Sequence, residues 1–260
     1  MIRTPITVDP DSYPAPFRPF LKNTRVYDSS CSPEARVLYL EREDCFLKRA
    51  PKGSLRTEAQ MDAHFHTLGL TAPVLCYHSD TEDFLLTARV AGEDCTHADY
   101  LAVPARLCDT IAERLRALHE LTAAACPVPD RMQSYFACVR NGIAQDRFDP
   151  AFLPAHLRAL TKQKAAELLQ NTADLFTSDT LLHGDYCLPN ILLDEWKFSG
   201  FIDLGNGGIG DRHVDLFWGA WTLWFNLHTD EYRDRFFDAY GRDAISDDAL
   251  RVVELAETFG

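Results

Sequence analysis

The run His183-Gly184-Asp185-Tyr186-Cys187-Leu188-Pro189-Asn190 lies between two apolar stretches, Thr180-Leu181-Leu182 and Ile191-Leu192-Leu193. A further strand-like stretch, Phe198-Ser199-Gly200-Phe201-Ile202, ends on Asp203. The pattern predicts strands that carry Asp185, Asn190 and Asp203 in the loops at their ends. Phosphoryl transfer needs such a set. One carboxylate orients an acceptor hydroxyl, while an amide oxygen and a second carboxylate hold magnesium on the nucleotide phosphates. A hard ion takes oxygen ligands, so the intervening Cys187 is not among them. A plain turn with solvated acids would share the residue types but not their spacing together with the apolar flanks.

On these residues the chain resembles the aminoglycoside phosphotransferases, distant relatives of the eukaryotic-type protein kinases. Their hallmark is an HGD loop ending in Asn, followed by a strand that ends in Ile-Asp. The 3′-phosphotransferase branch is most similar, through Ser199-Gly200-Phe201-Ile202-Asp203-Leu204-Gly205, Gly210-Asp211-Arg212, Asp215 and overall length. The resemblance spans nearly the whole chain: strongest from His183 to Asp215, intermediate from Ser32 to Gly92, weakest between Thr96 and Asp179.

It implies an α+β, bilobal protein-kinase-like fold. A small antiparallel-sheet N-terminal lobe (residues 1–92, hinge near 88–92) would bind nucleotide. A larger, mainly helical C-terminal lobe (93–260) would carry the catalytic loop and the acceptor site. It implies ATP- or GTP-dependent phosphorylation of an aminoglycoside hydroxyl, the 3′-hydroxyl in this branch, and hence antibiotic resistance. Asp185 would be the catalytic residue and Asn190 and Asp203 the Mg²⁺ ligands. Two alternatives stand: a kinase of the same superfamily acting on another hydroxylated amine or antibiotic, and a binding module that keeps the fold without turnover. The intact Lys48, Asp185, Asn190 and Asp203 set argues against the second.

The first half reads as short strands around one helix. Val37–Leu40 and Cys45–Lys48 form a hairpin. Residues 55–68 carry Met61, Phe65 and Leu68 near helical spacing, and Val74–Tyr77 and Phe84–Leu86 are two more strands. Lys48 sits in an apolar strand, where a charge costs free energy unless paired. A nucleotide phosphate and the carboxylate of Glu58, in the following helix, would satisfy it, as in the kinase Lys–Glu pair. No glycine-rich loop precedes Lys48. Ser29-Ser30-Cys31-Ser32-Pro33 takes its place, and short hydroxyls with free N–H groups can cradle phosphate. The family has a Ser-Pro in its nucleotide loop, which puts Ser32 there.

The second half reads as helices over 103–121, 131–145, 153–170, 214–227, 230–240 and 247–259. His183 is read as structural support of its loop. Asp211 is a candidate cap for the helix that follows. The family resemblance suggests that Asp215, or Asp211, buttresses the catalytic loop. Trp218, Trp221 and Trp224 are read as core. The family binds the amines of its antibiotic with acids from a helical insert and from the C-terminus. Asp146 and Asp149 are placed plausibly for the insert, and Leu255-Ala256-Glu257-Thr258-Phe259 resembles the family's ending. Glu257, Phe259 and the terminal carboxylate, displaced onto Gly260, are the candidates. Asn206 also departs from the family, which has arginine after the Asp-x-Gly turn.

Composition sets outer bounds. The chain has 260 residues, 46% apolar and 25% charged, with a net charge of −13. An acidic chain argues against a nucleic-acid partner and suits a cationic aminoglycoside-like small molecule. No apolar run reaches membrane-span length, and Met1–Pro14 has no apolar core of a signal peptide. The eight cysteines include no CxxC pair and read as reduced thiols. The expectation is a cytoplasmic monomer or weak dimer without nucleic-acid or membrane partners.

Overall fold

The computed structural model describes residues 3–31, 33, 35–122, 124–170 and 172–260. The chain forms two compact units. One is Met1–Asp94 with Leu192–Gly205; the other is Cys95–Ile191 with Asn206–Gly260.

The first unit is built on six strands: β1 (Thr4–Ile6), β2 (Val26–Asp28), β3 (Arg36–Leu40), β4 (Cys45–Pro51), β5 (Val74–Ser79) and β6 (Glu82–Ala88). Their order is β1-β2-β3-β4-β6-β5, antiparallel throughout. The β3–β4 hairpin turns through Asp44 at φ 48°, a left-handed position that Asp tolerates. The period-2 alternation of β4 decides where Lys48 goes. Cys45 and Leu47 are fully buried in a core with Leu38, Leu40, Phe84, Leu86, Tyr13 and Phe17, the last two in the segment leading into the short helix α1 (Arg18–Leu21). Lys48 shares the opposite face with Ala50, which packs with Leu55, Ala59 and Leu85 under helix α2 (Arg56–Thr67). Ahead of this helix the sequence marks only the hairpin of β3 and β4; β1 and β2, each only three residues long, are too short for a periodicity signal. A two-residue strand, β7 (Glu93–Asp94), closes the first segment.

The second unit opens with α3 (Ala98–Leu101) and α4 (Pro104–His119). Proline in the first turn suits α4, because that turn's N–H groups lack helical partners. One α4 face buries Leu107, Ile111, Leu115 and Leu118. Helix α5 (Arg131–Ala144) is capped by Asp130, which accepts the Gln133 N–H at 3.2 Å. The single helix expected over 153–170 does not form. A 3-10 turn (Ala155–Leu157) follows Pro154, and α6 (Lys162–Leu168) starts afresh from Thr161, whose hydroxyl accepts the Lys164 N–H. Pro154 and a capping Thr161 interrupt the apolar spacing that suggested continuity.

Strand β8 (Thr180–Leu182) is wholly buried. The hairpin of β9 (Ile191–Asp194) and β10 (Lys197–Phe201) returns to the first unit, where β9 pairs with β7. Strand β11 (Gly208–Gly210) pairs antiparallel with β8, Gly208 opposite Leu182. Helices α7 (His213–Leu227), α8 (Glu231–Tyr240) and α9 (Asp247–Ala256) complete the unit, and a 3-10 turn, Glu257–Phe259, follows α9. The three α7 tryptophans are half-buried rather than core, and Phe225, stacked on Trp221 with centroids 4.9 Å apart, is 53% exposed. Among the described residues no helix is long and apolar enough to cross a membrane.

Candidate functional site

In the first unit the structure brings together Lys48, Glu58 and Asp203. The Lys48 ammonium donates to both Glu58 carboxylate oxygens at 2.8 and 3.0 Å and to Asp203 Oδ1 at 2.7 Å. Burial pulls the Lys48 pKa down, but the Asp203 and Glu58 carboxylates outweigh it and raise it, so the group stays cationic. Asp203 follows β10 at φ 59°, a left-handed conformation that costs a non-glycine residue free energy and is common at functional sites. Its carboxylate remains about half exposed, so one anionic oxygen can take a further cation. Ser32, the residue assigned to nucleotide, lies outside the described residues. Nearby, the Ser30 hydroxyl accepts the Val37 N–H at 2.9 Å.

In the second unit the loop from His183 to Asn190 is fixed at nearly every residue. Asp215, with no solvent exposure, accepts the His183 and Gly184 N–H groups at 2.8 and 2.7 Å. It also lies 3.1 Å from His119 Nε2, whose Nδ1 lies 2.8 Å from the Tyr240 hydroxyl. Burial pushes the His119 pKa down, Asp215 pulling the other way, so a neutral imidazole joins Asp215 to Tyr240. The Asp185 N–H donates to His183 Nδ1 at 3.3 Å, so His183 does local structural work. Tyr186 donates to the Ile111 carbonyl at 2.8 Å, and the Leu188 N–H to the Thr222 hydroxyl at 3.1 Å. Gly184 is obligatory: it has φ +84°, and a Cβ there would stand 1.8 Å from the Asn206 carbonyl oxygen.

The outcome is a half-buried Asp185 on a rigid loop. Asn190 donates from Nδ2 to the Asp185 carbonyl and to Asp185 Oδ2, both at 3.0 Å. Its amide nitrogen is thus directed at Asp185 and its oxygen points the other way, as a hard-cation ligand must. Asn190 in this unit and Asp203 in the first can each offer a cation an oxygen and no sulfur or imidazole, which suits magnesium rather than zinc.

The acceptor-site candidates are scattered over several partners. Glu257 accepts from the Tyr135 hydroxyl at 2.9 Å. Burial pushes its carboxyl up to about 7, with Asp185 adding to the rise and Tyr135, Arg131 and Trp218 opposing it. Asp149 caps a 3-10 turn by accepting the Ala151 N–H, and its own N–H donates to the Thr258 carbonyl at 2.8 Å. Asp146 is ion-paired with Lys162. Phe259 is 1% exposed as a whole residue: its ring packs on Phe148 and its carbonyl lies against Gly142, so the structure does not present it to a ligand. The Gly260 carbonyl accepts from Arg147 at 3.3 Å.

Sequence reading passed over two groups. Asp62 lies one helical turn beyond Glu58, is 5% exposed, and has its carboxyl pushed up to about 8 by burial and then by Glu58. The i, i+4 spacing to Glu58 could have flagged it. Arg131 donates from Nε to the Asn206 carbonyl at 2.7 Å and from Nη2 to Asn206 Oδ1 at 3.0 Å. Nothing in the sequence links these two residues, which lie far apart along the chain.

Residues 28–253 match the APH family, described as "Phosphotransferase enzyme family". A Lactococcus lactis subsp. lactis (strain IL1403) protein named "Probable aminoglycoside 3'-phosphotransferase" is 46% identical over 98% of this chain and 98% of its own length. The aminoglycoside 3′-phosphotransferase of Niallia circulans is 30% identical, covering 82% of this chain and 83% of its own. Among solved structures, the type VIII aminoglycoside-3′-phosphotransferase shares the fold with a TM-score of 0.72 at 22% identity, over 99% of this chain and 94% of that one. The Streptomyces rimosus phosphotransferase APH(3'')-Id, in complex with ADP and streptomycin, gives 0.71 at 25% identity, over 86% and 90%.

Proposed function

Since this chain belongs to the APH phosphotransferase enzyme family, we propose that it is an aminoglycoside O-phosphotransferase that uses ATP or GTP, acts on the 3′-hydroxyl, and thereby confers antibiotic resistance. The observation that carries the reading is the loop of Asp185 and Asn190, clamped by Asp215 through the His183 and Gly184 amides. The relatives named as 3′-phosphotransferases support the choice of hydroxyl.

In this reading Asp185 orients the acceptor hydroxyl and takes its proton as the acceptor oxygen bonds to the γ-phosphorus and the bond to the leaving nucleoside diphosphate breaks. Positioning matters more than basicity in a loose transition state. Lys48, held by Glu58, binds nucleotide phosphate, and Ser32 belongs to the nucleotide loop that precedes it in the chain. Asn190 and Asp203 would hold magnesium, which when bound would neutralise charge on the phosphate oxygens. The first unit is the nucleotide-binding one, and the second carries the catalytic loop and the acceptor site. Glu257, with Asp149 or Asp146 and Gly260, receives the substrate ammonium groups, because charge-assisted hydrogen bonds are the strong kind. The protein is cytoplasmic, a monomer or weak dimer.

The test is nucleotide turnover by the purified protein with magnesium and a panel of acceptors: several aminoglycosides, choline and a macrolide. Turnover confined to aminoglycosides is expected. Turnover with choline or macrolide alone would replace the reading with another small-molecule kinase. No turnover with any acceptor would leave a binding module.

A further inference from the structure

We propose that Arg131 is a positioning residue for phosphoryl transfer, clamping the Asn206 turn against the catalytic loop. The kinetic part of this proposal rests on the function proposed above. Arg131 is the first residue of α5. A cation there opposes the helix dipole, and burial lowers its pKa before neighbouring groups partly restore it. Neither effect helps the helix, so local stability does not explain the residue.

Its bonding does. Nε and Nη2 form a fork on the carbonyl and side-chain oxygens of one residue, Asn206, at 2.7 and 3.0 Å. Nη1 is steadied by the Ser134 hydroxyl at 2.7 Å. The planar guanidinium fits this two-point arrangement, which a lysine ammonium cannot reproduce. The carbonyl so held is the one on which Gly184 rests, with room for no Cβ. Gly184 in turn precedes Asp185. A line of direct contacts therefore runs from the start of α5 through Asn206 and Gly184 to Asp185. On the other side the Arg131 charge acts on Glu257, whose carboxyl also feels Asp185. One side chain thus sets the loop position and tempers the charge of the acceptor-side acid.

The test compares Arg131→Ala and Arg131→Lys with the wild type. Hydrogen exchange is followed by mass spectrometry in the peptide covering 183–187, alongside steady-state kinetics and melting. Loss of the fork should speed exchange in 183–187 in both variants. It should lower kcat by roughly 10- to 100-fold, as expected for a misplaced catalytic group, and leave the nucleotide KM within about twofold. A merely structural role would lower melting temperature and not separate kcat from the nucleotide KM. If Arg131→Ala does not fold, Arg131→Lys decides by the same readings. Unchanged exchange in 183–187 in Arg131→Lys overturns the proposal, as does an unchanged kcat. If the wild type phosphorylates no aminoglycoside, the proposed function fails, and the exchange measurement still decides the clamp.

Discussion

The Asp215 carboxylate accepts the main-chain N–H of Gly184 at 2.7 Å, one residue before Asp185. A wholly buried carboxylate on α7 thereby sets the entry to the loop that carries Asp185. Its second oxygen takes the His183 N–H and meets His119. Asp215→Asn keeps the size but turns one acceptor into a donor facing N–H groups. Losing a hydrogen bond to a buried charged group costs about 1.5–3 kcal/mol, so thermal unfolding should show a loss of that order. Turnover should fall by at least about 100-fold as the loop shifts. Near-wild-type turnover in a stable Asp215→Asn would show that the loop does not depend on this anchor.

Asp203 and Asp211 are expected to separate function from stability. Asp203→Ala should abolish magnesium-dependent nucleotide binding in isothermal titration while largely sparing the melting temperature, since its side chain is about half exposed. Asp211 is 2% exposed and accepts from His213 and from the Thr177 N–H at 2.8 Å. It does more than cap a helix, so Asp211→Ala should cost about 2–4 kcal/mol, several buried hydrogen bonds at about 1 kcal/mol each. Metal binding lost in Asp211→Ala and kept in Asp203→Ala would reverse the assignment.

Asp62 gives the fold a pH dependence. Burial pushes its folded pKa up to about 8, above the ordinary aspartate value of 3.8. The folded state therefore holds a proton that the unfolded chain has released. This contribution to stability is complete below the unfolded pKa, declines as pH rises, and is lost once pH passes the folded pKa. Asp62→Asn removes that decline. Its melting temperature should gain on the wild type progressively from pH 5 to pH 8. With one pKa unit worth about 1.4 kcal/mol, the gain at pH 8 should be at least about 1 kcal/mol. Parallel melting curves for the two proteins across that range would rule this out.

Glu257 should make aminoglycoside binding sensitive to pH. Its carboxyl is ionised above about 7 and loses its charge as pH falls. Between pH 8 and pH 6 the wild-type aminoglycoside KM should therefore rise by roughly 5- to 10-fold relative to that of Glu257→Gln, which has no charge to lose. The comparison removes the titration of the substrate's own amines, which both proteins meet alike. An identical pH trend in the two proteins would take Glu257 out of the acceptor site.

Much of this was legible from local patterns. The apolar flanks of His183–Asn190 mark the strands β8 and β9 on either side of that loop, and a further apolar run marks β10, which ends at Phe201, two residues before Asp203. The alternation of β4 put Lys48 on the face toward α2, where Glu58 is one side chain away. What stayed hidden depends on contacts between distant parts of the chain. The Asp215–His119–Tyr240 network joins three helices, and Arg131 meets Asn206 across the fold. The strands β1 and β2 are too short to show a period, and the apolar spacing of 153–170 masked the breaks at Pro154 and Thr161. The spacing of the α7 tryptophans cannot tell a buried stripe from the half-buried one at the rim that the structure shows.

The most direct measurement pairs an aminoglycoside carrying a free 3′-hydroxyl with its 3′-deoxy analogue. Each is incubated with nucleotide, magnesium and either the wild type or Asp185→Asn, and the product position is read by NMR. The wild type should phosphorylate only the first compound, at the 3′-oxygen, and Asp185→Asn should lower that turnover by roughly 10²- to 10⁴-fold, the usual range for a positioned acid–base group. Equal phosphorylation of the 3′-deoxy compound, or unchanged turnover in Asp185→Asn, would contradict the account.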